Sequence, residues 1–128
     1  MFTPTLTSRG PVDMKVFERV IDINLMGVLH VLKHATVYLT KNDVSQNTTA
    51  SGNKRGLIIL VSSILAKEGQ AGTLAYSASK GALEGMLLPM ARDLGRYGVR
   101  ALAIAPSLIE TSMTRGQFSD KLMHRLLS

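Results

Sequence analysis

From Lys15 to about Thr40, apolar residues recur at helical spacing: Val16, Phe17, Val20 and Ile23, running into a stretch from Leu25 to Leu32 that is apolar on most faces. The pattern predicts a long helix buried on more than one side, with Asp13 as its N-cap. Lys41 to Arg55 is polar and rich in Asn, Ser, Thr and Gly, which predicts a loop. Gly56 to Ser63 is a short, continuous apolar run, the signature of a strand buried on both faces of a parallel sheet. Thr73 to about Tyr97 predicts a second long helix, kinked at Pro89 and stopped by Gly98. Val99 to Ala105 predicts a second strand. Strand, helix, strand in this order makes a right-handed unit with a parallel pair. Met1 to Pro11 reads as an irregular lead-in; Pro106 to Met113 reads as a turn before a partly amphipathic tail ending at Ser128.

Chemistry concentrates between Ser63 and Lys80. Tyr76 and Lys80 are four apart on the second helix and share a face. A free phenol is a poor base near neutral pH, and an adjacent cation favours its phenolate. Tyr76 beside Lys80 therefore reads as a tuned general acid/base. Ser63 falls at the carboxyl end of the first strand, where open α/β sheets place their ligands. Its hydroxyl would hold an alcohol or carbonyl oxygen against the phenol. Ser62 competes for that role, and strand alternation points the two serines in opposite directions. The set suits hydride transfer at a carbonyl, with the protein moving the proton and a cofactor carrying the hydride.

Tyr76-x-x-x-Lys80, with Ser63 upstream in Val-Ser-Ser, resembles the active-site signature of the short-chain dehydrogenase/reductases. Asn24 in Asp-Ile-Asn-Leu-Met-Gly matches that family's helix asparagine, and Pro106-Ser-Leu-Ile-Glu-Thr111 its Pro-Gly-x-x-x-Thr cofactor loop. The run Ala75 to Leu94, with Ile104-Ala-Pro106, looks most like the 3-hydroxyacyl-CoA and hydroxysteroid dehydrogenase branch. The resemblance covers about Val12 to Met113 and implies an α/β fold, part of a Rossmann-type doubly wound parallel sheet. It implies an oxidoreductase acting on a secondary alcohol or its ketone, with NAD, or else NADP, as cofactor. It selects Ser63 over Ser62 to orient the substrate. Tyr76 becomes the acid/base, and Lys80 binds the nicotinamide ribose and tunes the phenol. Asn24 sits at a local kink and supports a water and proton path. Pro106, Ser107, Ile109 and Thr111 line the cofactor, with Thr111 at the nicotinamide amide. Ser107 stands where the family has glycine, and its side chain would crowd a close approach. The resemblance also implies an oligomer built through helices 13–40 and 73–97.

Bulk properties narrow this reading. The 128 residues fit one domain. No cysteine is present, which excludes a disulfide framework and a thiolate metal site. The net charge of +6 suits an acidic partner such as nucleic acid. The basic residues are scattered and lack interleaved aromatics, so they read as solvated surface and no nucleic-acid partner is expected. No run is judged long or apolar enough to span a membrane, and no signal peptide opens the chain. The expected location is cytoplasmic or mitochondrial. His30 and His34 have metal-compatible spacing but no third ligand, and read as ordinary histidines. Gly81 and Gly85 admit a close neighbour, either the sheet or a partner helix.

These residues contain no Gly-x-x-x-Gly-x-Gly or Gly-x-Gly-x-x-Gly turn of the kind that holds a cofactor pyrophosphate. The family's Asn-Asn-Ala-Gly turn and last strand are also missing. Residues 1–128 are therefore expected to form the catalytic part of a larger domain. The two strands are expected to expose unpaired edges, and the isolated chain to be unstable and inactive. The alternative is a non-catalytic partner of a full-length homologue.

Overall fold

The computed structural model describes residues 3–41, 48–49, 52–53, 55–107 and 109. Asp13 caps the first helix as expected, its carboxylate accepting from the Lys15 and Val16 amides. Helix α1 (Met14–Ile21) runs into a single π-helical turn at Asp22–Met26 and continues as α2 (Gly27–Lys41). Such turns insert one extra residue into the helical ladder and recur at functional sites. Asn24 stands within it, where the resemblance places a kink.

Strand β5 (Gly56–Val61) pairs in parallel with β6 (Val99–Ile104), Gly56 opposite Val99 and Val61 opposite Ile104. Between them come a short helix, α3 (Leu65–Glu68), and the long α4 (Leu74–Gly95). Helix α4 passes through Pro89. The amide missing at Pro89 would have bonded the Gly85 carbonyl, and Gly85 is exposed, so water can reach that oxygen. The chain then leaves the helix through Gly98, whose φ of 74° is the left-handed conformation that glycine adopts without strain.

Ile58 and Leu60 of β5, Leu83 of α4 and Val99 of β6 form the buried core. Leu25, Val28 and Leu32 from the first helical run and Met86, Met90 and Leu94 from α4 close over it. The strands are therefore covered on one face, whereas their sequence predicts burial on both. On the other face Leu57, Ile59, Val61, Leu102 and Ile104 are all exposed. The cause is layer count: among the described residues, the helices that pack on the core do so from the Ile58–Leu60 side. The same cause corrects the reading of the first long helix. Leu25, Val28 and Leu32 pack inward, while Leu29, Val31, Val37 and Tyr38 are exposed.

Three further expectations change. Met14–Lys41 is in fact one helical run of 28 residues, long and apolar enough by length and composition to cross a membrane. In this fold its apolar stripe serves as the cover of the sheet. The lead-in is ordered: β1 (Leu6–Thr7) and β2 (Gly10–Pro11) form an antiparallel pair, and Thr3 bridges to Thr73. Within the polar stretch from Lys41 to Arg55, β3 (Thr48–Thr49) and β4 (Gly52–Asn53) pair antiparallel. The predicted tail lies outside the described residues.

Candidate active site

The parallel pairing continues beyond the strand ends. The Ser62 amide donates to the Ile104 carbonyl at 2.7 Å, and the Ile64 amide to the Pro106 carbonyl at 3.1 Å. These bonds hold the serine turn and the Pro106–Ser107 turn side by side at the carboxyl edge of the sheet. Ser63 is buried, and its hydroxyl accepts from the Leu65 amide at 3.2 Å. Ser62 is buried too and faces α4, in register with Ile58 and Leu60. The two serines thus have different surroundings, in line with strand alternation.

Tyr76 and Lys80 share one face of α4. The Lys80 amine lies 5.6 Å from the centre of the Tyr76 ring, close enough for a cation–π attraction. The same amine donates to the Val61 carbonyl at 2.8 Å, which anchors it at the end of β5. Burial lowers the Lys80 pKa below the ordinary lysine value, because desolvation penalises the ammonium. Asn24 Nδ2 donates to the Ser79 hydroxyl at 3.1 Å, and that hydroxyl donates to the Tyr76 carbonyl at 2.7 Å. Ser79 is fully buried. The π-helical turn is thereby tied to the turn of α4 that carries the tyrosine.

Ser63, Tyr76, Lys80 and Asn24 thus gather around the N-terminal half of α4 and the end of β5. Among the described residues no hydrogen bond joins Ser63 directly to Tyr76. Pro106 and Ser107 flank the serine turn, and Ile109 is largely exposed. Thr111 lies outside the described residues. An ammonium and a phenol on one helix face, beside two strand-end turns, are groups that could hold the hydroxyls of a dinucleotide's ribose.

Sequence reasoning did not find two contributors. Thr3, almost fully buried, accepts from the Ala75 amide at 3.0 Å, and its own amide donates to the Gly72 carbonyl at 2.7 Å. It caps the helix that presents Tyr76, a task Thr73 does not perform because its hydroxyl is engaged with Gln70. The second contributor is the Ser62–Glu84 hydrogen bond at 2.9 Å. Glu84 lies four residues beyond Lys80, and that spacing was its one available signal.

The sequence model of the family described as short chain dehydrogenase matches residues 6–122. The chain belongs to the short-chain dehydrogenase family. Human 3-hydroxyacyl-CoA dehydrogenase type-2 is 46% identical to this chain over 97 residues, 76% of this chain and 35% of the human protein. The crystal structure of 3-hydroxyacyl-CoA dehydrogenase type-2 from Mycobacterium avium superposes with a TM-score of 0.85 at 28% identity, covering 98% of this chain and 46% of the other. NAD+-bound xylitol dehydrogenase superposes with a TM-score of 0.68 at 26% identity, covering 89% and 39%. The chain spans about a third of the length of its human relative, 35%. The Rossmann-like α/β architecture expected from the sequence is that of these solved neighbours.

Proposed function

We propose that this chain is the catalytic part of an NAD(P)-dependent dehydrogenase that interconverts a secondary alcohol and its ketone. The substrate class is a 3-hydroxyacyl thioester or a hydroxysteroid. The observation that carries the reading is the Tyr76–Lys80 pair on one face of α4, with its amine anchored to the strand end that bears Ser63. The names of the similar proteins support the thioester class, and the NAD+-bound neighbour favours NAD.

The bound nicotinamide would supply the hydride chemistry. The chain's own residues move the proton and hold the reactants. Tyr76 Oη gives a proton to the carbonyl oxygen in reduction and takes it from the hydroxyl in oxidation. Lys80, whose amine lies beside the ring, would hold the ribose hydroxyls. Ser63 would donate to the substrate oxygen and fix its distance from the phenol. Asn24 and Ser79 hold the tyrosine turn, and Asn24 supports the proton path. Pro106, Ser107, Ile109 and Thr111 would line the nicotinamide. Within these residues no Gly-rich turn is available for the pyrophosphate, so the isolated 128 residues are proposed to turn over little or nothing unaided. Leu29, Val31 and Val37 on α2 and Leu88 on α4 are exposed, which supports an oligomer through these helices.

The test mixes the chain with the N-terminal half of a homologous dehydrogenase and follows nicotinamide absorbance with an acetoacetyl thioester. Turnover should appear in the mixture and fall about 10²-fold or more with Tyr76→Phe, the size of a lost general acid/base. Equal turnover with Tyr76→Phe, or none from a folded mixture, would overturn the reading. The open face of the sheet also favours a second reading, a non-catalytic partner of a full-length homologue. Stable co-purification with such a homologue and no Tyr76-dependent turnover would select it.

A further inference from the structure

Tyr76, Lys80 and Glu84 follow one another at intervals of four and form a single stripe along α4. The first two belong to the proposed chemistry; the third has no role in it. Glu84 is nonetheless withdrawn from water, with its side chain 21% exposed. Its ion pair with Lys67, at 3.5 Å, reaches a side chain that is 81% exposed and therefore contributes little. Its well-buried partner is the Ser62 hydroxyl, which donates to Oε1 at 2.9 Å. That hydroxyl also lies 3.3 Å from the Lys80 carbonyl. A hydrogen bond to a carboxylate is among the stronger ones, and leaving the buried serine unpaired is costly.

The position of Ser62 gives this bond its consequence. The residue before it, Val61, offers the carbonyl that holds the Lys80 amine. The residue after it, Ser63, carries the hydroxyl proposed to hold the substrate oxygen. Packing of α4 on the sheet is already provided by Leu83, Met86 and Leu94. We propose that Ser62 and Glu84 are positioning residues of this site: their hydrogen bond fixes the end of β5, so that the Val61 carbonyl holds the Lys80 amine beside Tyr76. The inference rests on the reading above for its catalytic meaning, but not for its geometry. Tyr76 is the titratable group shown beside the Lys80 amine; Glu84 lies one turn further along the same helix and pairs with Lys67 on α3.

Competitive acylation of lysines at a series of pH values, read by peptide mass spectrometry, reports the Lys80 amine without any bound cofactor. In the 128-residue chain Lys80 should titrate below the exposed Lys15 and Lys33. Ser62→Ala and Glu84→Met, which lacks the acceptor oxygen, should each bring it toward those references, and Ser62→Thr, which keeps the hydroxyl, should leave it in place. Far-UV circular dichroism checks each fold, and Glu84→Met stands in if Ser62→Ala loses its helix signal. NADH affinity should fall about tenfold in the two deletions, the scale of one hydrogen bond to a charged group. A Lys80 profile unchanged in both folded deletions overturns the proposal. So does a wild-type Lys80 that titrates with the references. Failure of every chain, wild type included, to bind NADH counts against the cofactor reading alone; the lysine titration still decides the positioning.

Discussion

Lys80 is the residue on which most of the site depends, since its amine touches both the tyrosine ring and the strand end. Its lowered pKa has a sign that can be worked out. The folded chain binds this proton less tightly than the unfolded chain, whose lysine keeps its ordinary value of 10.5. Between the lowered value and 10.5 the unfolded state therefore carries more protons, and stability rises as pH rises through that window. Denaturation midpoints of wild type compared with Lys80→Met should show this gain on the alkaline side; a difference independent of pH would contradict it. Gly98 supports a second prediction at this scale. An alanine at φ 74° is strained, so Gly98→Ala should cost about 1 kcal/mol in denaturant unfolding. The residues of the proposed chemistry could be named from the sequence. Tyr76 and Lys80 are four apart, and Ser63 ends an apolar run. Thr3 was not legible, because nothing local marks a threonine 72 residues from the amide that it caps.

At the scale of elements, the helix that carries Tyr76 begins without a capping side chain from its own N-cap. Thr3 supplies that cap from the lead-in. Thr3→Val keeps the shape and removes the acceptor, and should cost about 1 kcal/mol of stability. Amide exchange at Ala75 should quicken in the same variant, while exchange in the last turns of α4 stays as it was. Equal exchange at Ala75 in both proteins would contradict the capping role. Strand and helix boundaries were legible to within a few residues, because Asp13, Gly56 and Gly98 punctuate clear periodicities. The resemblance implied a kink at Asn24 but not its π-helical form, and periodicity alone reads Lys15 to Thr40 as one regular helix. The Ser62–Glu84 bond joins two elements whose contact no local pattern encodes.

For the whole molecule, the open face of the β5–β6 pair decides behaviour in solution. Five apolar side chains, Leu57, Ile59, Val61, Leu102 and Ile104, are exposed there together. A contiguous apolar patch beside unpaired strand edges promotes association. Sedimentation velocity should show a chain that self-associates as concentration rises, and Ile59→Lys should shift it toward the monomer. A wild-type monomer at all concentrations would contradict this. Continuous apolarity of the strands correctly signalled a parallel pair, yet only one of the two covering layers is found among the described residues. The apolar run reports the burial its sequence is suited to, and the structure reports what is present to provide it.

The central claim is that Tyr76 and Lys80 form the floor of a nicotinamide site. The most direct measurement is titration of the 128-residue chain with NADH, followed by nicotinamide fluorescence, beside Lys80→Ala. The account predicts weak, saturable binding that falls about tenfold or more in the variant, as expected for loss of a charged hydrogen-bond donor. A folded chain that shows no saturable binding, or binding that Lys80→Ala leaves unchanged, would contradict it.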